Sequence, residues 1–327
     1  MNHTSRRSLT MRMAPLAAAL MMAVAPPASA NPDETISEIR DDRIQESSGL
    51  ALSILHDDLA YTINDEGGSG ANVYAVQVSS GAGVGAADIS SLPISDPESI
   101  AVDANGTLWL GDLGDNDHQR SDVAIYAFPE PGPGDHTISG AQRYAVTFPG
   151  GPTNVEGLLV QPTTQQVHVV SKNENGNGRI FELPGLAEGG TVQARDIGEA
   201  PEGVTDATYT RDGKWALLFT GKQLWIYNPT TWEAVGEVET PDLEKGESVT
   251  VERGNRTALV GSEGKNSPIA RVALPDGSAL TEPIDIGDSF EAGDGIPYTT
   301  REMAIPIALI AVTLLVAGVV LARRLKI

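Results

Sequence analysis

The chain has 327 residues, 44 of them acidic against 22 basic, for a formal charge of −22, and it contains no cysteine. Such an acidic field repels nucleic acid and anionic lipid and attracts cations or basic partners. Without cysteine there is no disulfide framework and no thiol nucleophile, so the fold must rest on its apolar core.

The N-terminal residues 1–30 read as an export signal. Arg6, Arg7 and Arg12 precede a short apolar run at 16–24, and Ala28-Ser29-Ala30 offers small residues for cleavage before Asn31. That run is too short to span a bilayer. Ser5-Arg6-Arg7-Ser8-Leu9 also resembles a twin-arginine motif, so general secretory and twin-arginine export both remain open.

Residues 31–286 read as an all-β ectodomain. A small or acidic residue opens a short apolar run five times, at Ser48-Gly49-Leu50, Glu98-Ser99-Ile100, Glu156-Gly157-Leu158, Asp206-Ala207-Thr208 and Glu247-Ser248-Val249. The copies recur at the roughly 40 to 50-residue period, or slightly more, of propeller blades. In the second copy the turn Asp103-Ala104-Asn105-Gly106 supplies the Asn-Gly of a tight hairpin. Second and third strands follow in every copy, and weaker fourth strands follow in some, as at 144–148 and 234–238. Four short strands per repeat define a β-propeller blade. An isolated strand at 36–44 can complete the last blade and close the ring. Because 283–286 offers a further outer strand, five repeats are visible and six blades remain possible.

Residues 287–302 read as a Gly- and acid-rich stalk, and 303–322 as one C-terminal transmembrane helix, uncharged and about the ~20 residues needed to cross a bilayer. Pro306 falls in its first turn, where a missing N–H costs nothing. Arg323, Arg324 and Lys326 lie in the tail 323–327 and favour the cytoplasmic side. The expected location is the cell membrane, single-pass type I, with the ectodomain extracytoplasmic. A sortase-type wall signal is the rival, but 274–278 lacks the threonine of that motif. The flanks hold six of the 22 basic residues and none of the 44 acidic ones, so the region between them has 16 basic residues and a formal charge of −28.

First strands line a propeller's channel, so Glu98, Glu156, Asp206 and Glu247 are expected at one mouth. The first copy puts Ser48 at the acidic position, but Glu46, two residues earlier, faces the same side. Second strands return to this mouth and end there in polar clusters, of which Gly111-Asp112-Leu113-Gly114-Asp115-Asn116 is the most distinctive. Converging carboxylates repel one another unless protonated or bridged, and hard oxygen ligands suit Ca2+ or another divalent cation. Glu46, Glu98, Glu156, Asp206, Glu247, Asp112, Asp115 and Asn116 are therefore the candidate metal ligands. The competing reading makes each ring acid a staple on backbone amides, and the 111–116 loop a clasp closed by Arg120.

Glu-Ser-Ser-Gly-Leu-Ala (46–51), Tyr-Thr-Ile-Asn-Asp (61–65), Gly-Asp-Leu-Gly-Asp-Asn (111–116), Ile-Tyr-Ala-Phe-Pro-Glu-Pro (125–131) and Asn-Val-Glu-Gly-Leu-Leu-Val (154–160) resemble a group of exported bacterial propeller proteins. That group is distantly similar to NHL, gluconolactonase-like and phytase-esterase-like propellers. The resemblance implies the fold and no particular activity. Lactonase-type relatives hold a divalent metal with a Glu at the start of an inner strand, a role the resemblance assigns to Glu156 or Glu98.

For function, nucleophilic catalysis has little to use: there is no Gly-x-Ser-x-Gly elbow, and His56, His118, His136 and His168 are scattered. Lys172, Arg120 and Lys265 are the few cations that could hold a phosphate near the mouth. The expectation is a binding or scaffold module for a ligand or protein partner at the cell envelope, held to the membrane by its C-terminal helix and binding no nucleic acid. The alternative is a metal-dependent hydrolase of esterase, lactonase or phosphoesterase type.

Overall fold

Short β-branched and aromatic runs separated by Gly, Asn and Asp turns can pair only with their chain neighbours, and they do so here as consecutive antiparallel meanders. The computed structural model describes residues 34–65, 70–186 and 190–286. Their strands form five sheets. From the channel outwards, blade I comprises Ser47–Leu52, Leu59–Asn64, Asn72–Gln77 and Gly83–Asp88. Blade II comprises Pro97–Val102, Thr107–Asp112, Ala124–Pro129 and Gln142–Thr147. Blade III has Val155–Val160, Val167–Ser171, Gly178–Leu183 and Arg195–Ala200. Blade IV has Asp206–Tyr209, Ala216–Phe219, Gln223–Asn228 and Glu233–Glu239. Blade V has Gly246–Val251, Thr257–Ser262 and Pro268–Ala273, with Glu34–Glu38 as its outermost strand.

That last strand closes the ring. Glu34–Glu38 runs antiparallel to Pro268–Ala273, with Glu34 opposite Arg271 and Glu38 opposite Pro268. The Ser37 hydroxyl then donates to the Val78 carbonyl at 2.6 Å, and the Arg40 amide to Gly81 at 2.6 Å, which ties blade V to blade I. Each first strand packs against those of both neighbouring blades, the fifth against the first. The closing strand expected at 36–44 therefore starts and ends earlier. Residues 283–286 form no strand; only Ile284 donates a backbone bond to Ala234, so the blade count is five.

Five apolar clusters occupy the five seams between blades. Tyr61, Leu110 and Phe128 fill the seam of blades I and II, Trp109, Phe148 and Phe181 that of II and III, and Tyr209, Trp225 and Tyr227 that of III and IV. Phe219 and Ile226 lie between IV and V, and Ile39, Ile44 and Leu50 between V and I. At about 1.5–3 kcal/mol per large buried side chain, these seams hold a cysteine-free protein together. Exposed sheet edges are partly covered: His136–Thr137 pairs with the outer strand of blade I, and Thr191–Gln193 with that of blade II. Among the described residues no helix is long and apolar enough to cross a membrane, and the signal (1–30), the stalk (287–302), the 303–322 helix and the tail lie outside them.

Candidate functional site

First strands start at one end of the channel, and second strands finish there. In blades II, III and V the first strand is irregular at its opening residue. Pairing jumps from Pro97 to Ser99, from Val155 to Gly157 and from Gly246 to Ser248, which leaves Glu98, Glu156 and Glu247 as the bulged residues. A bulged residue has no partner in the ladder, and its side chain can be re-aimed. Here the three glutamates are turned toward one another at the mouth.

Their electrostatics follow from that crowding. Glu98 is buried, and burial followed by the charges of Glu156, Asp96 and Asp65 pushes its carboxyl up to about 10. It keeps its proton and shares it with Glu156. Glu156 is raised by burial but held back chiefly by Lys172, whose Nζ lies 3.5 Å from Glu156 Oε1. Glu247 is pushed up to about 7, mainly by burial, with Lys172 opposing and Glu156 reinforcing the shift. Lys172 is itself raised, because the attraction of Glu156, Glu247, Glu174 and Glu98 outweighs the cost of burying it. The mouth is a set of carboxyls with raised proton affinity around one half-buried ammonium.

Asn154 and Ser48 complete the inner network. The Asn154 side-chain amide donates to Glu156 Oε1 and to Asn116 Oδ1, each at 3.0 Å, while its oxygen accepts the Asp115 amide at 2.8 Å. Ser48 donates to the Glu98 carbonyl at 2.8 Å. Gly114 is required by close approach: a Cβ there would stand 2.5 Å from the Asp96 carboxyl carbon and 2.8 Å from Glu98 Oε1.

The other expected residues take different places. Asp206 is in register, opposite Phe219, and fully buried, where it accepts the backbone amides of Ala207 and Val249 at 2.8 Å and that of Leu50. It joins blades IV, V and I. Asp112 accepts the amides of Ser95 and Asp96 and an Arg120 guanidinium bond at 3.0 Å, and Asp115 accepts the amides of Gln119 and Arg120. In this loop the clasp arrangement is the one formed. Asn116 is exposed and meets the network only through Asn154. Glu46 sits to one side, hydrogen-bonded to Asp65, which raises it most.

Among the described residues no group of three or more His, Asp or Glu side chains is arranged to hold a metal ion. The cation among these carboxylates is Lys172, and the Asn154 oxygen is already taken by a backbone amide. As arranged, these donors do not fit a divalent ion. Asp96 and Asn154 were not singled out as site residues from the sequence. A signal for them existed: each lies two residues before its blade's ring acid, as Glu46 lies two before Ser48, and so belongs to a second ring one pleat further out.

Fold and site together define a five-bladed, acid-mouthed β-propeller. No family model matches the chain, and comparison with curated proteins finds no match. Among solved structures it is similar to a protein from Xanthomonas campestris described as a gluconolactonase, at 14% identity and a TM-score of 0.43, over 77% of this chain and 99% of that one.

Proposed function

We propose that this protein is an exported, membrane-anchored propeller that binds, at its acidic mouth, a cationic group belonging to a cell-envelope ligand or protein partner. The observation that carries the reading is the bulged trio Glu98, Glu156 and Glu247 around Lys172. Carboxyls raised by burial, and in Glu98 and Glu247 also by neighbouring carboxylates, gain most from an incoming positive charge, which favours release of their protons. A divalent cation such as Ca2+ would use Glu98 and Glu156 only if Lys172 swung aside, so an ammonium of a ligand or basic partner suits the mouth better. The uncharged segment 303–322, followed by Arg323, Arg324 and Lys326, supports the anchor.

The test is calorimetric titration of the full-length protein in detergent with CaCl2, MgCl2 and a short oligolysine, repeated in buffers of different ionisation enthalpy. Binding should release protons and be lost in Glu156→Gln. Absence of heat with all three ligands would sink the reading.

A second reading rests on Glu247 alone. A carboxyl pushed up to about 7 near a half-buried ammonium is poised for general acid-base work. Turnover in an ester, lactone and phosphoester panel that disappears in Glu247→Gln with unchanged melting temperature would favour a hydrolase.

A further inference from the structure

The opposite end of the channel has its own chemistry. The far ends of all five first strands surround a narrow cavity of about 70 Å3, lined among others by Leu52, Ile54, Val102, Pro162, Thr208 and Arg211. Arg211 follows the first strand of blade IV and reaches across the opening. Its Nε donates to the Val251 carbonyl of blade V at 3.1 Å and its Nη2 to the Leu52 carbonyl of blade I at 3.4 Å, while Asn255 fixes its backbone amide at 2.6 Å.

The acids near this end have partners, although Glu130 Oε2 is buried without one. Asp57 pairs with Arg253, Asp212 with Lys214 and the Thr210 hydroxyl, Asp103 caps its own turn and accepts the Trp109 indole N–H, and Glu130 accepts the Leu55 amide. Arg211 has no ion pair among the described residues; Glu130 acts on it only through space, and Arg253 opposes its charge. Its Nη1 has no acceptor among the described residues. An arginine stays charged in a protein, and a partly buried charge without a counter-ion is costly. This one is held rigidly in place, with donors to spare, beside an apolar wall.

We infer that the Arg211 end of the channel is a second binding site, which takes a small monocarboxylate with its carboxylate on Arg211 and its short apolar tail against Leu52, Ile54, Val102 and Pro162. A planar carboxylate matches the guanidinium fork, and a tail of a few carbons suits the small volume and apolar lining.

The test is titration of the full-length protein in detergent with butyrate, 1-butanol and inorganic phosphate. Butyrate should bind saturably and butanol should not. Arg211→Gln should weaken butyrate about tenfold or more, whereas Arg179→Gln, at the periphery of blade III, should leave it unchanged. Equal binding of butanol, equal binding of phosphate, or unaltered affinity in Arg211→Gln would each overturn the assignment. Because Arg211 also bolts three blades together, its loss could unfold the protein; the comparison of butyrate with butanol on the unaltered chain then decides.

Discussion

At the acidic mouth the first strands of blades II, III and V bulge and turn a glutamate inward, and that of blade I is irregular between Ser48 and Ala51, whereas at the Arg211 end pairing is regular, Leu52 opposite Ala60, Val102 opposite Leu108 and Val251 opposite Ala258. Irregular backbone is thus concentrated where side chains of like charge are brought together. At the regular end one arginine makes use of backbone carbonyls that the closed ring presents. Charge is gathered by bulged pairing at one end and by ring closure at the other.

The comparison can be broken most forcefully at Asp206, which shares the sequence signature of the bulged acids but lies in register. Asp206→Ala orphans the buried amides of Ala207, Val249 and Leu50. At about 1–3 kcal/mol for each unsatisfied group, it should cost about 4 kcal/mol or more in chemical denaturation. A small loss would mean that Asp206 is not the staple described.

Next in size is the internal ion pair. Lys172→Met leaves Glu156 without its counter-charge and should cost about 3 kcal/mol at neutral pH, while Glu156→Gln in the same chain should restore most of that. A double-mutant cycle with no coupling would dissolve the pair.

The raised glutamates give a smaller effect with a definite sign. Their folded values lie above the ordinary 4.5, so the folded protein holds protons that the unfolded chain has released, and stability falls as pH rises through that window. For Glu247 the window runs from 4.5 to about 7, and for Glu98 from 4.5 to about 10. Glu98→Gln and Glu247→Gln should therefore match the parent near about pH 4 and exceed it near about pH 8, Glu98→Gln by the larger margin. The gain from Glu247→Gln should stop growing above about 7, while that from Glu98→Gln continues. Parallel pH profiles would show that the two groups share one environment.

The smallest effect lies near the regular end. Buried His168, bonded to Tyr209 at 3.2 Å, is pushed down to about 4 by burial. It folds neutral, so its contribution is lost as pH falls from 6.5 toward 4. His168→Phe should flatten that acid limb by about 1 kcal/mol, read from melting temperature against pH.

Blade repetition was legible in the chain because each blade is built from neighbours in sequence: hairpin turns such as Asn105-Gly106 and alternating apolar runs act locally. The closing role of the N-terminal strand was legible too, since an unpaired strand before the first repeat needs an edge to join. Six blades were excluded only by the pairing of 283–286, which follows blade IV with a single backbone bond. Glu98, Glu156, Asp206 and Glu247 look alike in sequence, and nothing in their neighbours separates them. Three become mouth residues and one a staple because pairing slips by one residue in blades II, III and V and does not in blade IV. A bulge depends on how both strands and the adjoining blade pack, which is not a local property. Arg211 gave no signal at all, since it follows a strand within one turn and gains its carbonyl acceptors from blades I and V only when the ring closes. Local pattern determined the blades and their acidic rim; long-range pairing decided which acids meet, which one is sealed away, and which arginine is left without a counter-ion.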